Sequence, residues 1–289
     1  MNVRLESVSF SYVSRHSGET AVFDNLSLAI PSGQCVGVLG REGSGKSTLL
    51  QMLDGLVTPE SGRVLLDGAD MTARHGRWGS VRKEIGICFQ FPEHQFFGET
   101  VRDELLFGMK ERGCTEADIM RRGTALLRQA GLDADLILRR SPHSLSMGEA
   151  RRVALALVLL HRPRLILIDE LSAGLDSLGT HAVLGMLSRA LQDGATIIAV
   201  SHDTDFLAEI AGRVIVLEAG KIAEDAEAGA VLGNPALLGA YGYAPPQTVA
   251  VARELRMLGV PLPRTIYGEQ ELLEAGSAFR RIEEQSGAR

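Results

Sequence analysis

The stretch Gly40-Arg41-Glu42-Gly43-Ser44-Gly45-Lys46-Ser47 constrains this chain more than any other. It lies between an apolar run at 34–39, which reads as a strand, and a run at 46–56 that reads as a helix. Two glycines five apart, followed by Lys and Ser, let the backbone curl until successive N–H groups point inward. Such a loop suits phosphate. No Cβ blocks the approach, the following helix adds the positive end of its dipole, and Lys46 can reach the outer phosphates of a chain of them. Ser47 carries the hydroxyl that such a loop offers to Mg2+. A strand, a glycine loop and a helix in this order belong in an α/β sheet.

The rest of the chain agrees. Apolar residues alternate at Val3, Leu5, Val8 and Phe10 and at Leu26, Leu28 and Ile30, as half-buried strands do. Further strands are expected at 63–66 and 84–89. From 91 to 160 the texture turns helical, with apolar residues at helical spacing over 115–130 and 146–160. Short β-rich runs at 165–168, 196–200 and 214–217 then alternate with helical patterns, which implies a parallel sheet covered on both faces. Pro245-Pro246 opens an amphipathic helix at 247–258 closed by Gly259, and a further helix is expected at 278–284. The expected division is residues 1–228, with a helical insertion at 91–160, and a helical appendage at 229–289.

Composition narrows the function classes. With 30 basic and 36 acidic residues the net charge is −6, which gives no footprint for nonspecific polyanion binding. The pairs Arg121-Arg122, Arg139-Arg140 and Arg151-Arg152 read as solvated faces, so nucleic acid is not an expected partner. Cys35, Cys88 and Cys114 have no paired spacing, as suits a reducing compartment rather than a disulfide framework or zinc site. The start, Met1 to Glu6, has no apolar core or cleavage signal, so secretion is not expected. The longest apolar run, 153–160, is far short of the roughly 20 residues a bilayer span needs.

A second chemical feature is Leu165-Ile166-Leu167-Ile168 followed by Asp169-Glu170. The acids fall at the exposed end of a buried strand, where ligands of open α/β sheets bind. Asp169 suits holding Mg2+ through water, and Glu170 suits polarising an attacking water. A strand end with a solvated turn is the plainer account of such a pair.

In this order the motifs resemble those of the ABC-type ATPases, over roughly residues 3–225. Gln90 resembles the family's Q-loop glutamine, which touches Mg2+ and the attacking water. Leu145-Ser146-Met147-Gly148-Glu149 resembles the signature motif, and Ala173-Gly174-Leu175-Asp176 the D-loop. His202 is similar to the switch histidine that senses the γ-phosphate, and Tyr12 to the aromatic that stacks on adenine. Singly, Gln90 also reads as structural, His202 as a loop histidine and Tyr12 as an edge-strand aromatic. The resemblance implies a P-loop NTPase fold: a RecA-like parallel sheet, an N-terminal antiparallel β-subdomain, an inserted helical subdomain and a C-terminal helical extension. It implies that residues 40–47 and Thr48 bind ATP, that Ser47, Gln90 and Asp169 attend Mg2+, and that Glu170, His202 and Gln90 serve hydrolysis. Two subunits would sandwich two ATP molecules, each phosphate loop facing the partner's signature.

The signature departs from the family pattern. Met147 and Glu149 replace a glycine and a glutamine, while Ser146 and Gly148 keep the groups that meet the partner's γ-phosphate. Ser146 with Glu149 three residues on is also a capping box for the helix that follows. Glu149 adds a negative charge where phosphate should arrive. At about 8 Å and an effective dielectric near 20 the repulsion is roughly 2 kcal/mol, enough to weaken closure more than tenfold without abolishing it. The site made by this signature is therefore expected to turn over slowly, as the lesser half of an asymmetric dimer. Leu171 replaces a proline common in the family.

The run Phe89-Gln90-Phe91-Pro92-Glu93-His94-Gln95 resembles the Q-loop of the energy-coupling-factor group, which takes up vitamins and transition-metal ions such as cobalt. The tail around Pro246 to Gly259 resembles that group's C-terminal dimerisation segment. The resemblance implies a second ATPase subunit, itself or a paralogue, separate membrane subunits for coupling and substrate binding, and a peripheral place on the cytoplasmic face of the membrane. Asp103 and Glu104 are candidate acids of a groove for a basic coupling helix. They also read as acids of a helix's first turn. The competing readings are a low-turnover regulatory partner and a soluble ABC ATPase outside transport.

Overall fold

The computed structural model describes residues 1–14, 18–73, 78–91, 95–107, 109, 113–263 and 266–286. Chain entry is β1 (Val3–Ser14) and β2 (Gly18–Ile30), followed by β3 (Cys35–Leu39), the glycine loop and α1 (Lys46–Leu53). Next come β4 (Ser61–Leu66), β5 (Ala69–Asp70), α2 (Trp78–Val81) and β6 (Ile85–Cys88). The helical stretch holds α3 (Val101–Leu106), α4 (Glu116–Gln129), α5 (Ala134–Ile137) and α6 (Met147–Leu160). Alternation resumes with β7 (Leu165–Asp169), α7 (Ser177–Gln192), β8 (Thr196–Val200), α8 (Thr204–Ile210), β9 (Arg213–Glu218) and β10 (Lys221–Glu227). The chain finishes through α9 (Ala228–Leu232), α10 (Pro235–Ala240), α11 (Gln247–Met257) and α12 (Glu269–Ser286).

Two sheets form. An antiparallel one has the order β2-β1-β4-β5. The other has the order β10-β9-β3-β8-β7-β6 and is parallel except at β10. Side-chain alternation along the parallel strands builds two cores. Val36, Val38, Leu165, Leu167, Ile198, Val200, Ile215 and Leu217 face α1 and the antiparallel sheet. Cys35, Leu39, Ile166, Ile168, Ile197, Ala199, Val214 and Val216 face the helices of the other layer. Because both faces are covered, these strands need near-continuous apolar runs, and each fully buried Leu, Ile or Val contributes about 2 kcal/mol of transfer free energy. Every residue of β3, β7 and β8 is buried. Such a sheet leaves its strand ends as the place for polar chemistry.

Several boundaries differ from the periodicity. The helix expected at 46–56 stops at Leu53, and Gly55 follows at a φ of 74°. The two short N-terminal alternations belong to one strand, β1, which changes register at bulges around Glu6 to Ser9. Strand β10 pairs with β9 although its alternate residues are exposed and charged. The last helix begins at Glu269, well before the expected 278. Among the described residues no helix is long and apolar enough to cross a membrane.

Candidate functional site

The glycine loop leaves the end of β3, in the middle of the parallel sheet, and enters α1. Gly45 caps α1 at a φ of 105°, and a Cβ there would stand 2.6 Å from the Phe23 ring, so only glycine fits. A Cβ on Gly40 would collide with the Leu217 carbonyl and lie 2.5 Å from Ser44 Oγ. The loop therefore packs closely at the cost of side chains. Lys46 is folded back over it, donating from Nζ to the carbonyls of Gly40 at 2.6 Å and Arg41 at 3.0 Å. Burial pulls its ammonium below the ordinary lysine value, against the attraction of Glu170, Asp169 and Glu42. Ser44 Oγ is buried with no hydrogen-bond partner among the described residues. An orphaned hydroxyl inside a ring of amides fits a phosphate oxygen.

Asp169 and Glu170 stand at the end of β7, two strands from the loop. Burial pushes the Asp169 carboxyl up, while the Ser47 hydroxyl bonded to it, Lys46 and His202 pull it down. One carboxylate and one hydroxyl meeting beside a lysine fit Mg2+, which takes few protein ligands and fills its shell with phosphate oxygens and water. Glu170 has a φ of 54°, and its N–H donates to the Val200 carbonyl at 3.0 Å. That left-handed residue turns the carboxylate back toward β8, where the His202 N–H donates to Oε2 at 3.2 Å. His202 Nε2 lies 3.6 Å from Oε1. Burial raises the Glu170 carboxyl above its ordinary value; the His202 amide opposes the shift. Lys46, Ser47, Asp169, Glu170 and His202 thus gather from three strand ends.

The signature and D-loop residues form a different cluster. Ser146 caps α6, accepting from the Glu149 N–H at 3.2 Å, while the Glu149 carboxylate accepts from the Ser146 N–H at 2.8 Å. Both halves of the capping box are made. A Cβ on Gly148 would meet the Gly174 carbonyl at 3.3 Å and one on Gly174 would meet Met147 Sδ at 3.0 Å, so α6 starts against the D-loop. Asp176 caps α7 through the Gly179 N–H at 2.8 Å. No hydrogen bond or ion pair joins this cluster to the phosphate loop among the described residues. The premise of an unmet charge at Glu149 needs correction: Arg140 donates to its Oε1 at 2.9 Å. Burial pushes the Glu149 carboxyl up, but the bonds from Ser146 and Arg140 outweigh it and hold the group below its ordinary value.

Gln90 is exposed just beyond β6, at the same sheet end as Asp169, since Cys88 pairs in register with Ile168. Its carbonyl accepts from Arg151 at 3.2 Å. Pro92, Glu93 and His94 lie outside the described residues. Tyr12 stands on β1 beside α1, its hydroxyl donating to Gln51 at 2.9 Å and lying 3.4 Å from Thr48 Oγ1, with its ring 42% exposed. Asp103 is exposed, whereas Glu104 is turned inside. Asp103 completes a capping box with Thr100, and Glu104, buried, accepts from the N–H groups of Phe97 and Gly98. Facing outward there as well are aromatic rings: Phe97 and Phe107 stack at 5.9 Å, both largely exposed.

Two residues at these clusters carried no signal in the sequence. Arg140 is one of many arginines. Tyr243 lies 203 positions beyond Gly40, yet its hydroxyl touches both Gly40 and His202.

Residues 23–173 match the family model described as ABC transporter. The energy-coupling factor transporter ATP-binding protein EcfA2 of Symbiobacterium thermophilum is 38% identical over 275 residues, covering 95% of each chain. The EcfA2 of Clostridium perfringens is 34% identical, covering 95% of this chain and 97% of its own. The solved structure of cbiO1 from Clostridium perfringens, part of the ABC transporter complex cbiONQ, aligns with a TM-score of 0.71 at 27% identity, over 89% of this chain and 98% of that one. An ATP-binding cassette solved as a dimer in a post-hydrolysis state bound to ADP and Pi aligns with a TM-score of 0.70 at 27% identity, over 78% and 98%.

Proposed function

The chain belongs to the ABC transporter family of ATP-binding subunits, and from that premise we propose that it is the motor of an energy-coupling-factor importer for a vitamin or a transition-metal ion such as cobalt. It is an ABC-type ATPase. It works paired with a second ATPase subunit, at the cytoplasmic face of the membrane, on separate membrane chains that form the path. The observation that carries this reading is the gathering of Lys46, Ser47, Asp169, Glu170 and His202 around one phosphate cradle.

In this reading the amides of residues 40–48 and the N-terminus of α1 bind the phosphates, and Tyr12 covers the base. Lys46 turns from the Gly40 and Arg41 carbonyls to the β- and γ-phosphates. Mg2+, attended by Ser47, Asp169 and Gln90, supplies neutralisation of phosphate charge when bound. Glu170 orients the attacking water and takes its proton, and His202 and Gln90 hold the outer phosphate and that water in line. The second subunit presents its signature to this phosphate, as Ser146 and Gly148 of this chain do in return. Closing the pair favours ATP binding, and hydrolysis releases it, so nucleotide shifts a population between open and closed states.

Two details change from the sequence expectation. With Arg140 against Glu149, the signature carries a neutral pair, which supports turnover rather than a half-silent site. The surface for the membrane subunit is the exposed Phe97–Phe107 stack together with exposed Asp103, while Glu104 is spent inside on the amides of Phe97 and Gly98. The appendage from 229 onward serves subunit pairing.

The test is direct. Lys46→Ala should lose about thirtyfold or more in Mg-ATP affinity by isothermal titration. Glu170→Gln should keep ATP affinity within about threefold while losing about a hundredfold or more in hydrolysis. Full Mg-ATP affinity in Lys46→Ala would end the proposal, and co-purification from solubilised membranes without any membrane chain would remove the transport role.

A further inference from the structure

The hydroxyl of Tyr243 lies 2.7 Å from the Gly40 carbonyl oxygen, 2.9 Å from the Gly40 nitrogen and 3.1 Å from His202 Nδ1. Its ring stacks on the imidazole, with centroids 5.7 Å apart and planes at 17°. The residue comes from the segment after α10, and that segment is stitched to the site on both sides. Arg41 donates to the Ala240 carbonyl at 3.3 Å, Thr204 to the Ala244 carbonyl at 3.0 Å, and the Gln247 N–H to Asp205 at 2.7 Å.

A phenol has one proton and two lone pairs. The Gly40 N–H takes one lone pair, leaving one proton for two acceptors. If the proton goes to the Gly40 carbonyl, His202 must carry its own proton on Nδ1 to bond the phenol oxygen. If it goes to Nδ1, the neutral imidazole carries its proton on Nε2, the nitrogen facing Glu170. The Gly40 carbonyl has a second donor in Lys46 at 2.6 Å. While Lys46 rests there, the phenol proton is free for Nδ1. That tautomer aims an N–H toward Glu170, the side the outer phosphate takes in the ATPase reading.

We infer that Tyr243 is a positioning residue of the nucleotide site, its single hydroxyl proton holding His202 in the Nε2–H tautomer while Lys46 occupies the Gly40 carbonyl, and tying both to the C-terminal segment. The inference rests on the proposed ATPase reading for its consequence, but not for its geometry. No proton is transferred: the phenol keeps its own and donates it to Nδ1, which leaves the imidazole N–H at Nε2.

The full-length protein tests it in two ways. Long-range 1H–15N spectra of the imidazoles should show nucleotide-free His202 in the Nε2–H tautomer, losing that preference in Tyr243→Phe. Adding a non-hydrolysable Mg-ATP analogue should keep wild-type His202 in the Nε2–H tautomer, the form that donates to phosphate, and a move to the Nδ1–H tautomer would count against the inference. In the assembled complex, Tyr243→Phe should lower kcat roughly five- to twentyfold with ATP affinity changed less than about threefold. In a His202→Ala background the same substitution should change kcat less than about twofold, because the two act as a unit. An identical tautomer mixture in wild type and Tyr243→Phe overturns the inference, as does an equal kcat loss with and without His202. Failure of wild type to bind Mg-ATP would instead sink the ATPase reading, and the nucleotide-free spectra would still decide the role of Tyr243.

Discussion

Burial sorts the thiols of this chain. Cys35 and Cys88 lie within the sheet, where burial pushes both up to about 12, so at pH 8 neither offers useful thiolate. Cys114 is only half-buried. Iodoacetamide at pH 8 should therefore add once to the folded protein, at Cys114, and to all three cysteines in urea. Mass spectrometry counts the adducts, and a second one on folded protein would mean that the core opens on the labelling timescale. The same sorting explains which site residues could be read in advance. The phosphate loop is readable because its chemistry is written in consecutive positions, with glycines that only a cradle needs. Asp169 and Glu170 are readable because four buried apolar residues point to them. Tyr243 and Arg140 are not: Tyr243 reaches its partners across 203 and 41 positions, Arg140 meets Glu149 across nine, and an isolated tyrosine or arginine has no pattern to betray it.

At the scale of elements, α6 shows how one cap can serve both folding and function. Its periodicity is visible in the sequence, and so is its capping box, but the partner of Glu149 is not. The Glu149 carboxyl is held below its ordinary value of 4.5, because the bonds from Ser146 and Arg140 outweigh the effect of burial. A depressed carboxylate stabilises the fold fully above its unfolded pKa, and that contribution is lost as pH falls through the folded one. Glu149→Gln, which keeps the cap but not the charge, should therefore cost about 0.5–1 kcal/mol at pH 7. Urea titrations should begin to converge for the two proteins as the pH falls below 4.5 and meet once it has passed the lower value of the folded carboxyl; a difference that persists in that acid range would assign the effect to shape rather than charge. The ion pair also makes a kinetic forecast. Arg140→Met leaves Glu149 unmatched at the signature and should slow the complex by roughly thirtyfold, the size of the bare repulsion of about 2 kcal/mol from Coulomb's law. Glu149→Gln should change the rate less than about threefold, and the double substitution should recover most of the loss. Elements without such internal logic escaped the sequence reading. Strand β10 is an edge, half exposed and carrying Lys221, Glu224, Asp225 and Glu227, so it lacks the apolar run that marks β7 or β8.

At the scale of the whole molecule, the question is what the C-terminal helices do with the apolar surface they leave uncovered. Helix α11 buries Val249 and Ala252 but leaves Val251 exposed, and Met257 and Leu258 at its end are 72% and 81% exposed. Leu273 on α12 is exposed as well. Apolar side chains exposed along both helices, whose first residues are bonded back to α8 through Asp205 and Glu209, leave surface suited to another subunit. Charge there should repel a partner without disturbing the cradle, which is formed by other elements. Met257→Glu with Leu258→Glu should weaken pairing with the second ATPase subunit by about tenfold or more in sedimentation equilibrium, each carboxylate being costly to desolvate in an interface. Affinity for Mg-ATP in the separated subunit should stay within about twofold, because the substitutions lie outside the segment stitched to the phosphate loop. If pairing were unchanged, the appendage would act only through its tie to the nucleotide site, and the sandwich of two cassettes would have to hold the pair by nucleotide alone.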